Sequence, residues 1–101
     1  MTAKELLAEM HPGRTIFEDV VKPLGMSVNA LAKKLHVPAT RLNDIVRGRR
    51  GVTADTALRL ARYLGTTAQF WLNLQSAYEL RVAELETGRA IKKIVNPRKA
   101  A

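Results

Sequence analysis

The sequence contains no cysteine among its 101 residues. That excludes disulfides and thiol chemistry, and it removes the usual sulfur ligands of structural zinc. A long apolar run is missing too: the longest apolar stretches are a few residues, against the roughly 20 needed to cross a bilayer. The opening MTAKELLAEM carries acids and no continuous apolar region, so a secretory signal is not expected. These absences point to the cytoplasm, with no membrane partner. Enzyme signatures are also lacking. His11 and His36 have no neighbour suggesting a catalytic dyad, and neither HExxH nor a glycine-rich phosphate loop occurs. No catalytic residue, metal site or cofactor is therefore expected, and His11 reads as a cap or turn residue. Finally, no segment shows the period-2 alternation of a strand. The expected fold class is all-α, in one small domain with a single core.

What is present is positive charge. Lys and Arg number 17 against 9 Asp and Glu, a formal net charge of +8, which favours a polyanionic partner where the excess is clustered. From Lys33 to Arg62 lie Lys33, Lys34, Arg41, Arg47, Arg49, Arg50, Arg59 and Arg62, opposed only by Asp44 and Asp55. Beyond Gly88 the composition turns basic, with Arg89, Lys92, Lys93, Arg98 and Lys99 and no acid. Residues 1–88 are therefore expected to form the folded domain and residues 89–101 a basic, flexible tail.

Helix-forming composition at Ala3 to Met10 ends at His11-Pro12-Gly13, a turn signal. Breakers then divide the chain into five helices. The first is expected from about Arg14 to Val21, with Ile16, Phe17, Val20 and Val21 inward and Pro23 and Gly25 as its stop. Ser27 caps the second, which ends near Leu35. Pro38 suits the first turn of the third, and Gly48 ends it. Thr53 caps the fourth, where Ala57, Leu58, Ala61 and Leu64 fall at core spacing and Gly65 follows its end. The fifth is expected to open on a capping box, Thr66 to Gln69, and to run to about Glu86. Trp71, Leu74, Tyr78, Val82 and Leu85 make one apolar stripe along it. Phe70, Trp71 and Leu74 are assigned to the monomer core, whereas Tyr78, Val82 and Leu85 are the candidate homodimer interface.

The stretch from Ser27 to Arg50 carries the functional signal. Leu31, Ala32 and Leu35 share one face of its first helix, and Val37, Leu42, Ile45 and Val46 turn inward in its second. Two short amphipathic helices joined by a tight turn, with a small residue at Ala32 where they approach, describe a helix-turn-helix. The turn position, often glycine, holds His36, a residue that tolerates left-handed geometry better than most. Facing outward on the second helix are Ala39, Thr40, Arg41, Asn43 and Asp44, the candidate base-reading residues. Ala39 and Thr40 suit a thymine methyl or a single hydrogen bond, and Asn43 has the amide geometry for adenine. Arg41 suits guanine or a phosphate. Asp44 either accepts from cytosine or orients Arg41 or Arg47. Ser27, Arg47, Arg49 and Arg50 are the candidate phosphate-binding residues. One such helix covers few base pairs, so a homodimer on double-stranded operator DNA is expected.

Over about positions 11 to 84 the sequence resembles the HigA-type antitoxins of bacterial toxin–antitoxin modules, a branch of the Cro/C1-type helix-turn-helix regulators. The likeness rests on His11-Pro12-Gly13, on Arg47-Gly48 with Arg50-Gly51, and on the run from Thr53 to Leu60. Phe70-Trp71 followed by Asn73-Leu74-Gln75 completes it, with Trp71, Asn73 and Gln75 read as packing and capping residues. Val28 stands where a polar residue often meets phosphate. The resemblance implies a dimeric five-helix DNA-binding protein that represses its own operon and neutralises a HigB-type toxin, a ribosome-dependent mRNA endonuclease. The alternatives are a stand-alone or phage-type Cro/C1-like repressor without a toxin partner, and an interaction module whose basic face is incidental.

Overall fold

Six helices build the chain in a computed structural model that describes residues 2–99. Helix α1 (Ala3–Met10) starts where the Thr2 hydroxyl accepts from the Glu5 N–H. Helix α2 covers residues 12–24, beginning two residues earlier than the composition suggests, because the His11 imidazole caps it and Pro12 fills the first position. Its middle, Ile16–Val21, is widened, so that the Lys22 N–H bonds to the Phe17 carbonyl five residues back. Pro23 was expected to help stop this helix, yet it sits inside the last turn. The wider turn relieves the clash its ring would make with the carbonyl four residues earlier. Gly25 makes the stop alone, in the left-handed region at φ 62°. Its N–H bonds to Lys22 and that of Met26 to Val21, the paired closure of a Schellman motif.

Helices α3 (Val28–Leu35) and α4 (Ala39–Val46) follow, then α5 (Ala54–Leu64) and α6 (Ala68–Ile94). Ser27 caps α3 through the Ala30 N–H, Thr53 caps α5 through that of Thr56, and Gly65 ends α5 at φ 78°. The expected capping box at the start of α6 does not form. Thr67 caps instead, because the Thr66 hydroxyl accepts at 2.9 Å from the indole N–H of Trp71, a buried donor that would otherwise be unpaired. Helix α6 is also longer than expected. It passes through Gly88 to Ile94, 27 residues or about 40 Å, so the first turns of the basic segment belong to the helix. Of the tail assigned to 89–101, Ala100 and Ala101 lie outside the described residues.

The core gathers Ile16, Val20 and Val21 from α2 with Leu31, Ala32 and Leu35 from α3. Val37, Leu42 and Ile45 join them, as do Val52, Ala57, Leu60 and Trp71. Three inward assignments fail. Leu58 is 63% exposed while Leu60 is fully buried. The buried face of α5 therefore runs through Ala57, Leu60 and Leu64, and Leu58, 100° round from Ala57, misses it. Phe17 and Phe70 are exposed as well. Phe70 lies edge-on against the Trp71 ring, which fills the core in its place. Helix α1 lies along α6, where Ala3, Leu6, Leu7 and Met10 face Arg81 and Leu85 around a cavity of about 100 Å³. No helix among the described residues is long and apolar enough to cross a membrane.

Candidate nucleic-acid interface

The angle between α3 and α4 is set at His36. This residue adopts φ 57° and ψ 45°, donates its N–H to Lys33, and lets the Val37 N–H reach Ala32. Those two bonds close a second Schellman motif, with Ala32 and Val37 both buried. Histidine thus does what glycine commonly does at this position. The remaining carbonyls at the end of α3 have an external donor: Arg59 of α5 gives Nη1–H to Leu35 and to His36, each at 3.0 Å.

With Leu42 and Ile45 fully buried and Val46 packed against the core, α4 presents its remaining residues outward. Ala39 and Thr40 are exposed, and Arg41, Asn43 and Asp44 are half-buried along the same element. Arg41, Asn43 and Asp44 each have an intramolecular partner. Arg41 Nη1 donates to Asp55 at 2.9 Å. Asn43 Nδ2 donates to the Asn29 side chain at 2.8 Å and to the Ala39 carbonyl at 2.9 Å. Asp44 was expected to orient Arg41 or Arg47 if it did not read cytosine. It lies instead 4.0 Å from both Arg49 and Arg50. The reason is the turn after α4, in which Gly48 at φ 76° reverses the chain and carries the following arginines back over the last helical turn. Arg47, Arg49 and Arg50 are all exposed, as is Ser27, whose hydroxyl caps α3.

Contacts distant in sequence hold this loop. Gly13 of α2 packs so closely on the end of α4 that a Cβ there would collide with the Ile45 carbonyl oxygen. His11 is buried, accepts from the Gly13 N–H at 2.9 Å, bonds to the backbone of Arg50, and meets the Tyr78 ring edge-on at 4.8 Å. Burial pushes its pKa below the ordinary value, opposed by the bond to Arg50. On the far side of the loop, Gln75 of α6 accepts from the Val52 N–H at 2.8 Å and donates to Glu79 at 3.2 Å. Gly51 leaves room for that amide, since a Cβ would come within 2.7 Å of its nitrogen. The polar connectors Asn29, Asp55, Arg59 and Gln75 were not singled out from the sequence as site residues. Only Gln75 gave a hint, four residues from Trp71 on the same helix face.

An open cleft of about 480 Å³ beside α4 is lined by Arg41, Arg50, Thr53, Asp55, Thr56 and Arg59. Asp55 is held below the usual carboxylate range by its hydrogen bonds, first from Arg59 and then from Arg41. The candidate dimer residues lie apart from this face, on α6. Tyr78 is partly covered through its contact with His11, Val82 is half-buried, and Leu85 borders the cavity shared with α1.

Comparison with known proteins places this geometry in context. The helix-turn-helix family pattern matches residues 18–71. Virulence-associated protein I of Dichelobacter nodosus is 56% identical over 81 residues, covering 80% of this chain and 75% of that protein. The antitoxin HigA of Pseudomonas aeruginosa, solved with the higBA promoter, superposes with a TM-score of 0.86 at 44% identity, over 88% of this chain and 97% of that one. An addiction module antidote protein of the HigA family from Coxiella burnetii gives a TM-score of 0.83 at 48% identity, with 87% and 96% covered.

Proposed function

The chain belongs to the helix-turn-helix family and, within it, to the HigA-type antitoxins, and on that premise we propose that it is a cytoplasmic, homodimeric operator-binding repressor of its own gene that also neutralises a HigB-type toxin. The observation that carries the DNA-binding part is the outward face of α4, held rigidly by the His36 turn and flanked by Arg47, Arg49 and Arg50. Ala39, Thr40, Arg41, Asn43 and Asp44 supply small or hydrogen-bonding groups suited to base edges. The three arginines and the start of α3 at Ser27 suit the phosphates on either side. The P. aeruginosa relative, solved with promoter DNA, supports the DNA-binding reading.

Toxin neutralisation follows from family membership rather than from any residue pattern of the interface. The test combines two measurements. A footprint on the promoter of its own gene is expected to protect an inverted repeat. Co-expression with the neighbouring gene is expected to yield a complex and to relieve growth arrest. Protection without a co-purifying partner would leave a stand-alone repressor. Binding that shows no loss of affinity on adding salt would remove the nucleic-acid reading, because phosphate contacts release counterions.

A further inference from the structure

Asp55 joins two arginines that come from different helices. It lies in the first turn of α5, where free N–H groups favour a negative charge. Its Oδ2 accepts at 2.9 Å from Arg41 Nη1 on α4 and at 2.9 Å from Arg59 Nε on its own helix. Arg59 passes the connection on to the Leu35 and His36 carbonyls at the turn. A continuous run of hydrogen bonds therefore links the turn of the motif to the first turns of the recognition helix. Its links are solvent-accessible, and exposed ion pairs add little to stability. What such a run does supply is orientation. A free arginine samples many rotamers, whereas one tethered through Nη1 samples fewer and still has Nε and Nη2 donors to offer. Two N–H donors held in one plane match the paired acceptors O6 and N7 of guanine in the major groove.

We propose that Asp55 is a positioning residue for sequence reading: by anchoring Arg41 it holds that guanidinium toward a base edge and keeps it from turning to the nearest phosphate. This rests on the DNA-binding function proposed above and deepens it. The inference separates from plain electrostatics by sign. Replacing Asp55 with a neutral residue adds one positive charge to a cationic surface, which by itself tightens binding to every duplex and steepens its salt dependence. Loss of a positioning residue weakens the specific site alone.

The experiment uses the intact protein with two duplexes. One is recovered from a random pool by the wild-type chain, and the other is a scramble of the same composition. Each is titrated at several salt concentrations with wild type, Asp55→Ala, Arg41→Ala and the double variant, alongside thermal melts. Arg59 keeps its bonds to the Leu35 and His36 carbonyls in every variant, so the turn stays braced. Asp55→Ala is expected to weaken the selected duplex about tenfold while tightening the scramble, with little change in melting temperature. The double variant is expected to discriminate no worse than Arg41→Ala alone. Equal tightening on both duplexes would reduce Asp55 to a local charge. Equal weakening with a lower melting temperature, or additive losses in the double variant, would make it purely structural. If the wild-type chain recovers no preferred duplex, the DNA-reading function itself falls, and this inference with it.

Discussion

Residues 27–60 and residues 79–95 are both helical, yet they are held by different forces. In the first region the Ser27 cap, the His36 turn and the Thr53 cap close helix ends with specific hydrogen bonds, and Leu31, Leu42, Ile45, Ala57 and Leu60 are fully buried. In the second, α6 leaves Leu80, Leu85, Ile91 and Ile94 exposed, Ile94 by 77%. Its side-chain bonds there are local, such as Arg81 to Glu84 and Thr87 to the Ala83 carbonyl. A helix satisfies its own backbone and can extend into solvent, but a short isolated one is marginal without packing. The difference therefore divides α6. Up to Tyr78 it belongs to the fold, and beyond that Leu85 faces α1 across the small cavity. A surface of this kind is where a second subunit would add stability.

The sharpest way to break that comparison is to remove one large apolar group from each region. Trp71→Ala, at the base of α6, takes away a ring that is 1% exposed and is expected to cost about 3–5 kcal/mol in urea denaturation. Ile94→Ala, on the same helix, is expected to stay within about 0.5 kcal/mol. Comparable losses would mean that the distal helix is folded into the domain after all.

Within the first region the division between reading and clamping is testable next. Asn43→Ala is expected to cost about 1–3 kcal/mol on the preferred operator and to flatten sequence preference. Arg49→Ala and Arg50→Ala are expected to weaken all duplexes alike and to lower the salt slope. Identical behaviour of the two classes in binding titrations would erase the distinction.

Local chemistry explains why so much of the first region could be read in advance. Ser27, Thr53, Gly48 and Gly65 act through neighbours three to five residues away, so their roles follow from short patterns. The connectors do not. Asn43 to Asn29 and Arg41 to Asp55 span 14 residues, Gln75 to Val52 spans 23, and Arg59 to Leu35 spans 24. Such pairs exist only once the helices have docked, and no short pattern encodes them. Leu58 failed for a smaller reason, a one-residue error of phase on an otherwise correct helix. The far end of α6 extends past the expected stop because the change of composition at Gly88 is not a change of structure. A helix tolerates one internal glycine for about 1 kcal/mol.

For the second region, Leu85→Glu tests whether a partner covers the stripe formed with Tyr78 and Val82. In sedimentation equilibrium the variant is expected to raise the dimer dissociation constant by about tenfold or more, as charge buried at an interface does. The same experiment on Ile94→Ala, beyond the stripe, is expected to change little. An unaltered dimer in Leu85→Glu would move the interface elsewhere and leave the cavity with α1 as the reason for that leucine.

The smallest expected effect tests the hinge between the two regions, where His11 touches the arginine loop on one side and Tyr78 on the other. Its Nδ1 accepts from the Gly13 N–H and must be unprotonated to do so. The folded-state pKa lies below the ordinary 6.5 because the ring is buried. Above pH 6.5 the imidazole is neutral in both folded and unfolded chains, so its contribution is complete. As pH falls below that value the unfolded chain binds a proton that the folded chain resists, and stability declines until the folded pKa is passed. The denaturation midpoint is therefore expected to fall between pH 7.5 and 5.5, a window in which ordinary carboxylates stay ionised. His11→Asn keeps an acceptor at the helix start without a titrating ring, and it is expected to flatten that decline. A variant as pH-sensitive as the wild type would show that some other group carries the dependence.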